Sequence, residues 1–486
     1  MSECGAYVNV IVHFLGFALN YVNREYFFDI HPPLGKFILA ISTYFTDFDR
    51  EFKADKIGRK YEDRPFVVIR STHAVFSAMM VPLPYLTLRA IGATRATSLL
   101  AGCMVLFDGC LISNGRSIFM DSFLWFFLAL SIFASVQFWN LSQKIFAKYD
   151  APGIQWYFWC ILTGLALGCT LSVKWTGLGV VGVIGLRQLF TFFDHGYQYY
   201  LTEKGTPRSE QLRRSTLFHL LAGIIMLVLL ISVYVALFAL HFIIANHTGP
   251  GVEWHAGDTP YMQTFIGSEE YVEMDPRFVA DQPSTLTKVW NIHKTMFDAN
   301  RGIDKDHPWA SRWFTWPFMI KGLMFWTEKN HMVYQLGNPL VWWGSTVLIT
   351  LATLYAIFNS SFYIPPHKVT KAEASMHKER LPYTERARYE VSWLLCGYVC
   401  NLLPYVGVSR ACWLYHYVPA LFFGELAGCL WLDQLLRRAN PTVQKITLSI
   451  CYFLAFYGWY AFHQVIYCQR YTDEELEGLK WLSDWM

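Results

Sequence analysis

The sequence predicts an all-α polytopic membrane protein, and three observations support this fold class. First, 54% of the 486 residues are hydrophobic and only 16% are charged, whereas soluble globular proteins average about 25% charged residues. Second, the apolar residues are concentrated in runs, and a helix needs about 20 such residues to cross a bilayer. Third, Lys and Arg are distributed unequally among the loops between these runs. Soluble, disordered and fibrous classes are therefore excluded.

Ten segments have the length and apolar character of membrane-spanning helices. The apolar segment 36–46 is too short to span and suits a helix that lies in the membrane interface, beginning near residue 34 after two prolines. Trp and Tyr are frequent at the ends of the runs, as is typical of membrane interfaces. The predicted spans are 67–90, 95–112, 120–139, 155–173, 176–193, 216–244, 339–360, 390–407, 412–433 and 445–466.

The basic residues predict how the chain is oriented. One set of loops contains most of the Lys and Arg, including Arg213, Arg214, Arg437 and Arg438, whereas the opposite short loops contain single cations. The richer set is expected to be cytosolic. The chain then divides into a first non-cytosolic region, a bundle of six spans, a non-cytosolic loop domain, a bundle of four spans and a non-cytosolic tail, at residues 1–66, 67–244, 245–338, 339–466 and 467–486.

Charge and cysteine content narrow the possible partners. The net charge is +3 and the basic loops are spread over one face, which favours anionic lipid headgroups and no nucleic acid. The eleven cysteines show no C-x-x-C or metal spacing and are interpreted as buried structural thiols. The sequon at Asn246 lies on the non-cytosolic side and is predicted to be glycosylated, whereas those at Asn140 and Asn359 lie in cytosolic loops.

Polar residues on the non-cytosolic side suggest an enzyme. Each single cation could anchor the chain at the interface, but four of them at one leaflet predict a site for a lipid phosphate. A lipid-borne phosphate is the donor type expected of a membrane glycosyltransferase. Other polar and aromatic residues lie beside these cations, and charges that converge at span ends are often functional. The cations are Arg70, Arg116, Lys174 and Arg410, and their neighbours include Asp29, His31, Asp121, Trp175 and His416.

Six motifs in order resemble the protein O-mannosyltransferase family, over nearly the whole chain. The first is Tyr-Phe-Phe-Asp-Ile-His-Pro-Pro-Leu-Gly-Lys at 26–36. The others are Gly-Arg-Ser-Ile-Phe-Met-Asp-Ser at 115–122, Ser-Val-Lys-Trp-Thr-Gly at 172–177, His-Pro-Trp-Ala-Ser-Arg-Trp at 307–313, Gly-Asn-Pro-Leu-Val-Trp-Trp at 337–343, and Arg410 with Leu-Tyr-His-Tyr-Val-Pro-Ala at 414–420.

The resemblance implies a GT-C bundle that takes mannose from dolichyl phosphate mannose and places it on Ser or Thr of secretory proteins. Such enzymes invert at the anomeric carbon, need no metal or cofactor, and work at the lumenal face of the endoplasmic reticulum, usually paired with a second family member. Bacterial relatives act at the plasma membrane. The candidate catalytic residues are Asp29, His31 and Arg70, and Asp29 is expected to position the acceptor or the sugar, or to hold the loop, rather than to act as the base. The resemblance puts Arg70 on the leaving phosphate. It puts Arg116, Asp121, Lys174, Trp175, Arg410 and His416 in contact with donor phosphate or sugar.

Two departures from the family pattern stand out. The family's Asp-Glu pair, expected to deprotonate the acceptor, aligns with Val10 and Ile11, which cannot take a proton. A truncated or misassembled N-terminus that also lost the first span is the favoured explanation, and a non-catalytic partner subunit is the alternative. The loop 245–338 is also too short for the β-trefoil MIR domain of eukaryotic relatives, although its flanks resemble that domain's flanks.

A lipid-linked-sugar transporter is the competing class. It would need polar groups near the bilayer midplane and internal repeats, and neither is evident in the sequence. The charges cluster instead at one face, which favours the transferase.

Overall fold

The computed structural model describes residues 9–52, 63–147, 151–255, 259–272, 283–302, 307–358 and 383–486. Most of these residues are in helices. The first half of the chain contains α1 Asn9–Val22, α2 Leu34–Tyr44, α3 Phe66–Met80, α4 Pro82–Ile91, α5 Arg95–Leu106, α6 Gly109–Gly115, α7 Asp121–Ala147, α8 Ile154–Val173, α9 Leu178–Leu201 and α10 Pro207–Ile244.

The second half adds short elements before four more long helices. They are α11 Thr259–Met262, α12 Thr285–Arg301, β1 Leu323–Glu328, β2 His331–Gln335, α13 Pro339–Phe358, α14 Tyr383–Leu402, α15 Val418–Leu436, α16 Pro441–Tyr467 and α17 Asp473–Gly478. Several helix starts follow local sequence rules. Side-chain oxygens of Thr94, Thr206 and Asn440 accept hydrogen bonds from backbone N–H groups three residues on, as N-caps do.

Six helical segments in the described ranges are long and apolar enough to cross a membrane, or seven if one bent pair is a single span. Together with the bent pair, these segments agree with the first seven predicted spans, and α2 confirms that a short apolar helix follows the two prolines. The other three predicted spans correspond to α14, α15 and α16, which are helical but less apolar. The segments are Phe66–Ile91, Asp121–Phe146, Ile154–Val173, Trp175–Leu201, Pro207–Ile244 and Pro339–Phe358, with the bent pair Arg95–Leu106 and Gly109–Gly115.

The bend lies at Asp108, the acidic residue inside the second predicted span. Helices α5 and α6 meet there at 53°. One carboxylate oxygen of Asp108 accepts the backbone N–H of Leu111 at 2.9 Å and so caps α6, while the other accepts the indole N–H of Trp342 from α13. A charge in an apolar segment is thus satisfied by a helix start and an indole, and the break directs α6 away from the axis of α5.

The two-stranded hairpin β1–β2 was not predicted from the sequence. Leu323 pairs with Gln335 and Glu328 with His331, with an irregularity between Met324 and Trp326. The hairpin packs against α6 and α16, and the Phe325 ring stacks on Phe119 at 5.0 Å between centroids. It therefore closes one end of the helical bundle.

The cysteines include one exception to the sequence interpretation. Nine cysteines in the described ranges are free, as expected for structural thiols, but Cys468 is disulfide-bonded. Cys468 directly follows α16 and has a left-handed backbone conformation with φ of 57°. The interpretation of all eleven cysteines as free thiols was therefore wrong at this position.

A buried ion pair joins α9 to α14 inside the bundle. Two guanidinium nitrogens of Arg187 donate to the two carboxylate oxygens of Glu390 at 2.7 and 2.6 Å. The guanidinium carbon lies 3.9 Å from the ring centroid of Trp139 on α7. These contacts connect three helices through a single side chain.

Candidate active site

The motif around Asp29 and His31 is held by a lysine that sequence reasoning left out of the site. Lys36, in the first turn of α2, is 2% exposed and donates to the carboxylate of Asp29 at 2.6 Å and to the backbone carbonyl of His31 at 2.5 Å. Its ammonium also faces the rings of Phe17 and Phe27 at 5.7 and 5.8 Å. A cation three residues after the second proline, in the first turn of a helix, was the available signal.

The surroundings of Asp29 and His31 determine the protonation states of these two side chains. Burial acts to raise the pKa of Asp29, but the neighbouring Lys36 and His31 outweigh it, so that this pKa lies below its usual value. Burial lowers the pKa of His31 to about 3. Near neutral pH the motif therefore presents an ionised carboxylate and a neutral imidazole.

A second buried pair connects Asp121 with Lys174. The Lys174 ammonium lies 3.1 and 3.2 Å from the two carboxylate oxygens of Asp121, and both side chains are nearly inaccessible to solvent. Asp121 opens α7, where the helix dipole favours a negative charge, and Lys174 directly follows α8. The ammonium is also 5.2 Å from the ring centroid of Tyr415.

His416, from the motif at 414–420, lies near the Asp121–Lys174 pair. It lies in the 3₁₀ turn Leu414–Tyr417 before α15 and is 4% exposed. Burial, together with the positive charges of Lys174 and Arg410, holds its pKa well below the usual value, and His31 contributes in the same direction. The structure thus brings together Asp29, His31, Asp121, Lys174, Arg410 and His416 from four separate motifs.

Aromatic rings enclose His416. The centroids of Tyr415, Tyr405, Trp413 and Trp316 lie 4.5, 5.7, 5.8 and 6.1 Å from the imidazole. The hydroxyl of Tyr405 and the indole N–H of Trp413 are buried and have no hydrogen-bond partner among the described residues. Because an unsatisfied buried polar group is costly, these two groups are candidates for contact with a polar ligand. None of these four rings was among the predicted site residues, although Tyr415 lies in the motif at 414–420.

Arg70 and Arg116 form a second group of cations. The guanidinium of Arg70 lies 5.0 Å from the ring centroid of Phe66, and that of Arg116 lies 4.7 Å from the ring of Tyr467. Burial lowers the pKa of Arg116, and repulsion by Arg70 lowers it further. The two arginines are thus close enough to influence each other.

Two other predicted residues have different surroundings. The indole of Trp175 donates to the hydroxyl of Tyr234 on α10 at 2.9 Å, so that this side chain packs with α10 and α12 rather than with Lys174. The side-chain oxygen of Asn246 is 2.9 Å from Nδ1 of His247, and Asn246 is half-buried.

Comparison with known proteins identifies the family of the chain. The family model described as dolichyl-phosphate-mannose-protein mannosyltransferase matches residues 3–246. A second model, the C-terminal four-span region of protein-O-mannosyltransferase, matches residues 285–485. The chain belongs to the protein O-mannosyltransferase family. Its function is accordingly that of the family, the transfer of mannose from dolichyl phosphate mannose to proteins.

Individual relatives show the extent of the similarity. Protein O-mannosyl-transferase 2 of Drosophila pseudoobscura pseudoobscura is 29% identical over 690 aligned positions, which cover 96% of this chain and 90% of the relative. Dolichyl-phosphate-mannose–protein mannosyltransferase 6 of Candida albicans is 32% identical over 244 residues, 49% of this chain and 29% of the relative. The 690 positions exceed the 486 residues of this chain, so the insect relative contains a substantial segment without a counterpart here.

One solved structure supports the fold. In the Saccharomyces cerevisiae protein O-mannosyltransferase Pmt1-Pmt2 complex bound to the sugar donor, a chain superimposes with a TM-score of 0.81 at 18% identity. The match covers 100% of this chain and 90% of that chain. The helical arrangement described above is therefore shared with a chain of that complex.

Proposed function

We propose that the chain transfers mannose to Ser or Thr hydroxyls, with inversion, at the lumenal end of the bundle. The observation that carries this proposal is the convergence of Asp29, His31, Lys174, Arg410 and His416 beside a set of aromatic rings. Charged groups buried at a helix-bundle end are costly to desolvate, and here they come from distant parts of the chain. Such an arrangement suits a charged, lipid-linked sugar.

Lys174 and Arg410 are proposed to bind the donor phosphate. Both act on His416 electrostatically, which indicates that both charges lie near it. Asp121 holds Lys174 at 3.1 Å, and a phosphate can replace or share this carboxylate because lysine is a mobile point charge with three donors. The cations then stabilise the phosphate as it leaves. Arg70 and Arg116 are the proposed second contact for the lipid phosphate, and Asp121 keeps Lys174 in position.

The sugar is proposed to lie against the rings around His416. Aromatic faces bind the apolar side of a sugar ring, and unpartnered donors can meet its hydroxyls. The hydroxyl of Tyr405 and the indole N–H of Trp413 supply such donors, and His416 adds a neutral ring. Trp175 contributes indirectly, because its indole fixes the segment that follows Lys174.

Asp29 and His31 are proposed to receive the acceptor hydroxyl. Neutral His31 can form a hydrogen bond with that hydroxyl, and ionised Asp29 can take its proton as the oxygen attacks the anomeric carbon. Lys36 weakens Asp29 as a base, since it holds the pKa of the carboxylate below its usual value. Efficient catalysis through Asp29 thus requires Lys36 to shift its contact away from this carboxylate.

The topology that accompanies this function is a ten-span bundle with the five regions predicted above, in the endoplasmic-reticulum membrane. The three less apolar helices, α14 to α16, supply the remaining spans. We further infer that Asn246 is glycosylated and that the chain pairs with a second family member, since the similar yeast structure is a Pmt1-Pmt2 complex.

A non-catalytic partner role is the second candidate. Val10 and Ile11 occupy the positions that the family resemblance assigns to an Asp-Glu pair. A chain without that pair would bind donor and partner but transfer mannose poorly.

The deciding experiment measures mannose transfer from dolichyl phosphate mannose to a Ser/Thr peptide, by the purified full chain with and without a family partner. Transfer by the chain alone, lost in Asp29→Asn, supports the proposed mechanism. Donor binding without transfer, with activity gained in a Val10→Asp/Ile11→Glu variant, favours the partner role. Absence of donor binding in every preparation contradicts both.

A further inference from the structure

Helix α12 has an apolar face that is only half covered. Its residues Val289, Ile292 and Met296 pack against Tyr234 and Phe238 of α10. At about 100° per residue, a neighbouring strip of the same helix is also apolar but open. That strip consists of Leu286, Trp290 and Phe297, which are 68%, 69% and 55% exposed.

The position of α12 on α10 indicates what covers the open strip. Exposed residues of α10 recur at spacings of three and four, as on the lipid-facing side of a membrane helix. They are Leu220, Ile224, Leu227 and Ile231. Tyr234 and Phe238 continue the same spacing to the end of α10, so α12 occupies the last part of the lipid-facing side. Lipid is therefore expected directly beside α12.

Charges on α12 fit the same surroundings. Lys294 and Arg301 are exposed and border the open strip, about 40° from Trp290 and Phe297 by helical geometry. The Arg301 guanidinium lies 5.7 Å from the ring centroid of Phe297. Basic residues beside Trp, Phe and Leu are typical of helices that lie in a membrane interface, where the cations meet lipid phosphates.

We propose that α12 is a membrane-surface helix that inserts Leu286, Trp290 and Phe297 among the lipid headgroups. A bilayer fits better than a protein partner, because the strip continues the lipid-facing side of α10 and ends in cations. This inference is independent of the roles proposed for the site residues.

Hydrogen bonds also connect α12 to the candidate site. Nε2 of His293 is 2.7 Å from the hydroxyl of Tyr234, which accepts the indole N–H of Trp175 at 2.9 Å. Trp175 directly follows Lys174. These hydrogen bonds thus connect α12 to the segment that carries Lys174.

Site-specific photocrosslinking tests the proposal. The full chain, with p-benzoylphenylalanine in place of Trp290, is reconstituted in phosphatidylcholine–phosphatidylserine vesicles, irradiated and analysed by intact mass. The matched control carries the same group at Asn291, one residue on and about 100° around the helix. We expect phospholipid adducts at position 290 at least five times more often than at position 291.

Three outcomes are distinguishable. Preferential phospholipid adducts at position 290 support the proposal. Protein–protein crosslinks at position 290, whether to a second copy or to a family partner, overturn it in favour of a subunit interface. Equal adduct yields at both positions also overturn it, since they indicate a helix without a fixed membrane-facing side. A Phe297 replacement provides a second site if the Trp290 variant folds poorly.

Discussion

Two buried ion pairs of similar burial differ in how completely their hydrogen-bonding capacity is used. In Arg187–Glu390, both carboxylate oxygens accept from separate guanidinium nitrogens at 2.6 and 2.7 Å, and the guanidinium packs on Trp139. In Lys174–Asp121, the ammonium lies 3.1 and 3.2 Å from the two oxygens. The first pair is a short, bidentate, planar contact, whereas the second is longer and held by a point charge.

The two pairs also differ in the polar groups that surround them. Arg187–Glu390 lies among helices α7, α9 and α14, away from the residues predicted for the site. Lys174–Asp121 lies close to His416 and to the unpartnered groups of Tyr405 and Trp413. The contrast teaches that burial alone does not identify a functional charge. Unused hydrogen-bonding capacity nearby is the more informative sign.

The largest effect is expected for Lys174→Gln. Loss of one phosphate-stabilising cation should lower mannose transfer by about 100- to 1,000-fold. Because Asp121 would remain buried without its partner, the Lys174→Gln/Asp121→Asn double variant is the control. It should recover the melting temperature but not transfer. Recovery of transfer in the double variant would show that Lys174 only balances Asp121.

Arg187→Ala should show the opposite pattern. Removal of one partner of a buried pair typically costs about 3–5 kcal/mol, so thermal unfolding should begin at a clearly lower temperature. Replacing both partners, in Arg187→Met/Glu390→Met, should restore most of the stability and retain transfer. A double variant that is stable but inactive would contradict a purely structural role and weaken the comparison.

Tyr405→Phe tests the unused hydroxyl. If this group binds the donor, its removal should raise KM for dolichyl phosphate mannose by about 2- to 10-fold, which corresponds to one hydrogen bond. The melting temperature should stay the same or rise, because the hydroxyl has no partner in the described protein. A lower melting temperature with unchanged KM would assign Tyr405 to packing.

The smallest effect concerns pH and His31. Its pKa is about 3 in the folded chain against about 6.5 when unfolded. Between these values the unfolded chain binds a proton that the folded chain does not, so stability decreases as the pH falls. The melting temperature of the unmodified chain should therefore decrease more between pH 7 and pH 5 than that of His31→Gln. Parallel decreases in both proteins would contradict a buried, neutral His31.

The sequence predicted much of the fold because a membrane-spanning helix requires about 20 mostly apolar residues in a row, a pattern that is visible in the sequence. Seven of the predicted spans correspond to helical segments that satisfy this requirement, and the predicted shorter apolar helix corresponds to α2. The hairpin escaped prediction since strands of five and six residues leave no comparable signal. The less apolar α14 was predicted at 390–407 but extends over Tyr383–Leu402, because its charged beginning, where Glu390 pairs with distant Arg187, has little apolar character.

The candidate site was predictable only in part. Motifs indicated Lys174, Arg410 and His416, but no sequence pattern revealed which loops meet. Trp175 is adjacent to Lys174 in sequence, yet it packs against Tyr234. Tyr415 and Trp413 are near His416 in sequence, but Tyr405 and Trp316 become its neighbours through tertiary packing, so the sequence did not indicate the ring cluster.

The disulfide at Cys468 gives the chain a chemical marker of its orientation. Disulfides persist in oxidising compartments and are rare where glutathione keeps thiols reduced. The end of α16 should therefore face an oxidising compartment, in agreement with the unequal distribution of basic loops but independently of any charge count. Alkylation of the thiols before and after reduction would detect the disulfide directly, because only reduction makes Cys468 available to the reagent and so raises the mass of the alkylated chain. Material produced entirely in a reducing cytosol should lack the bond, and with it one covalent constraint on the end of the last long helix.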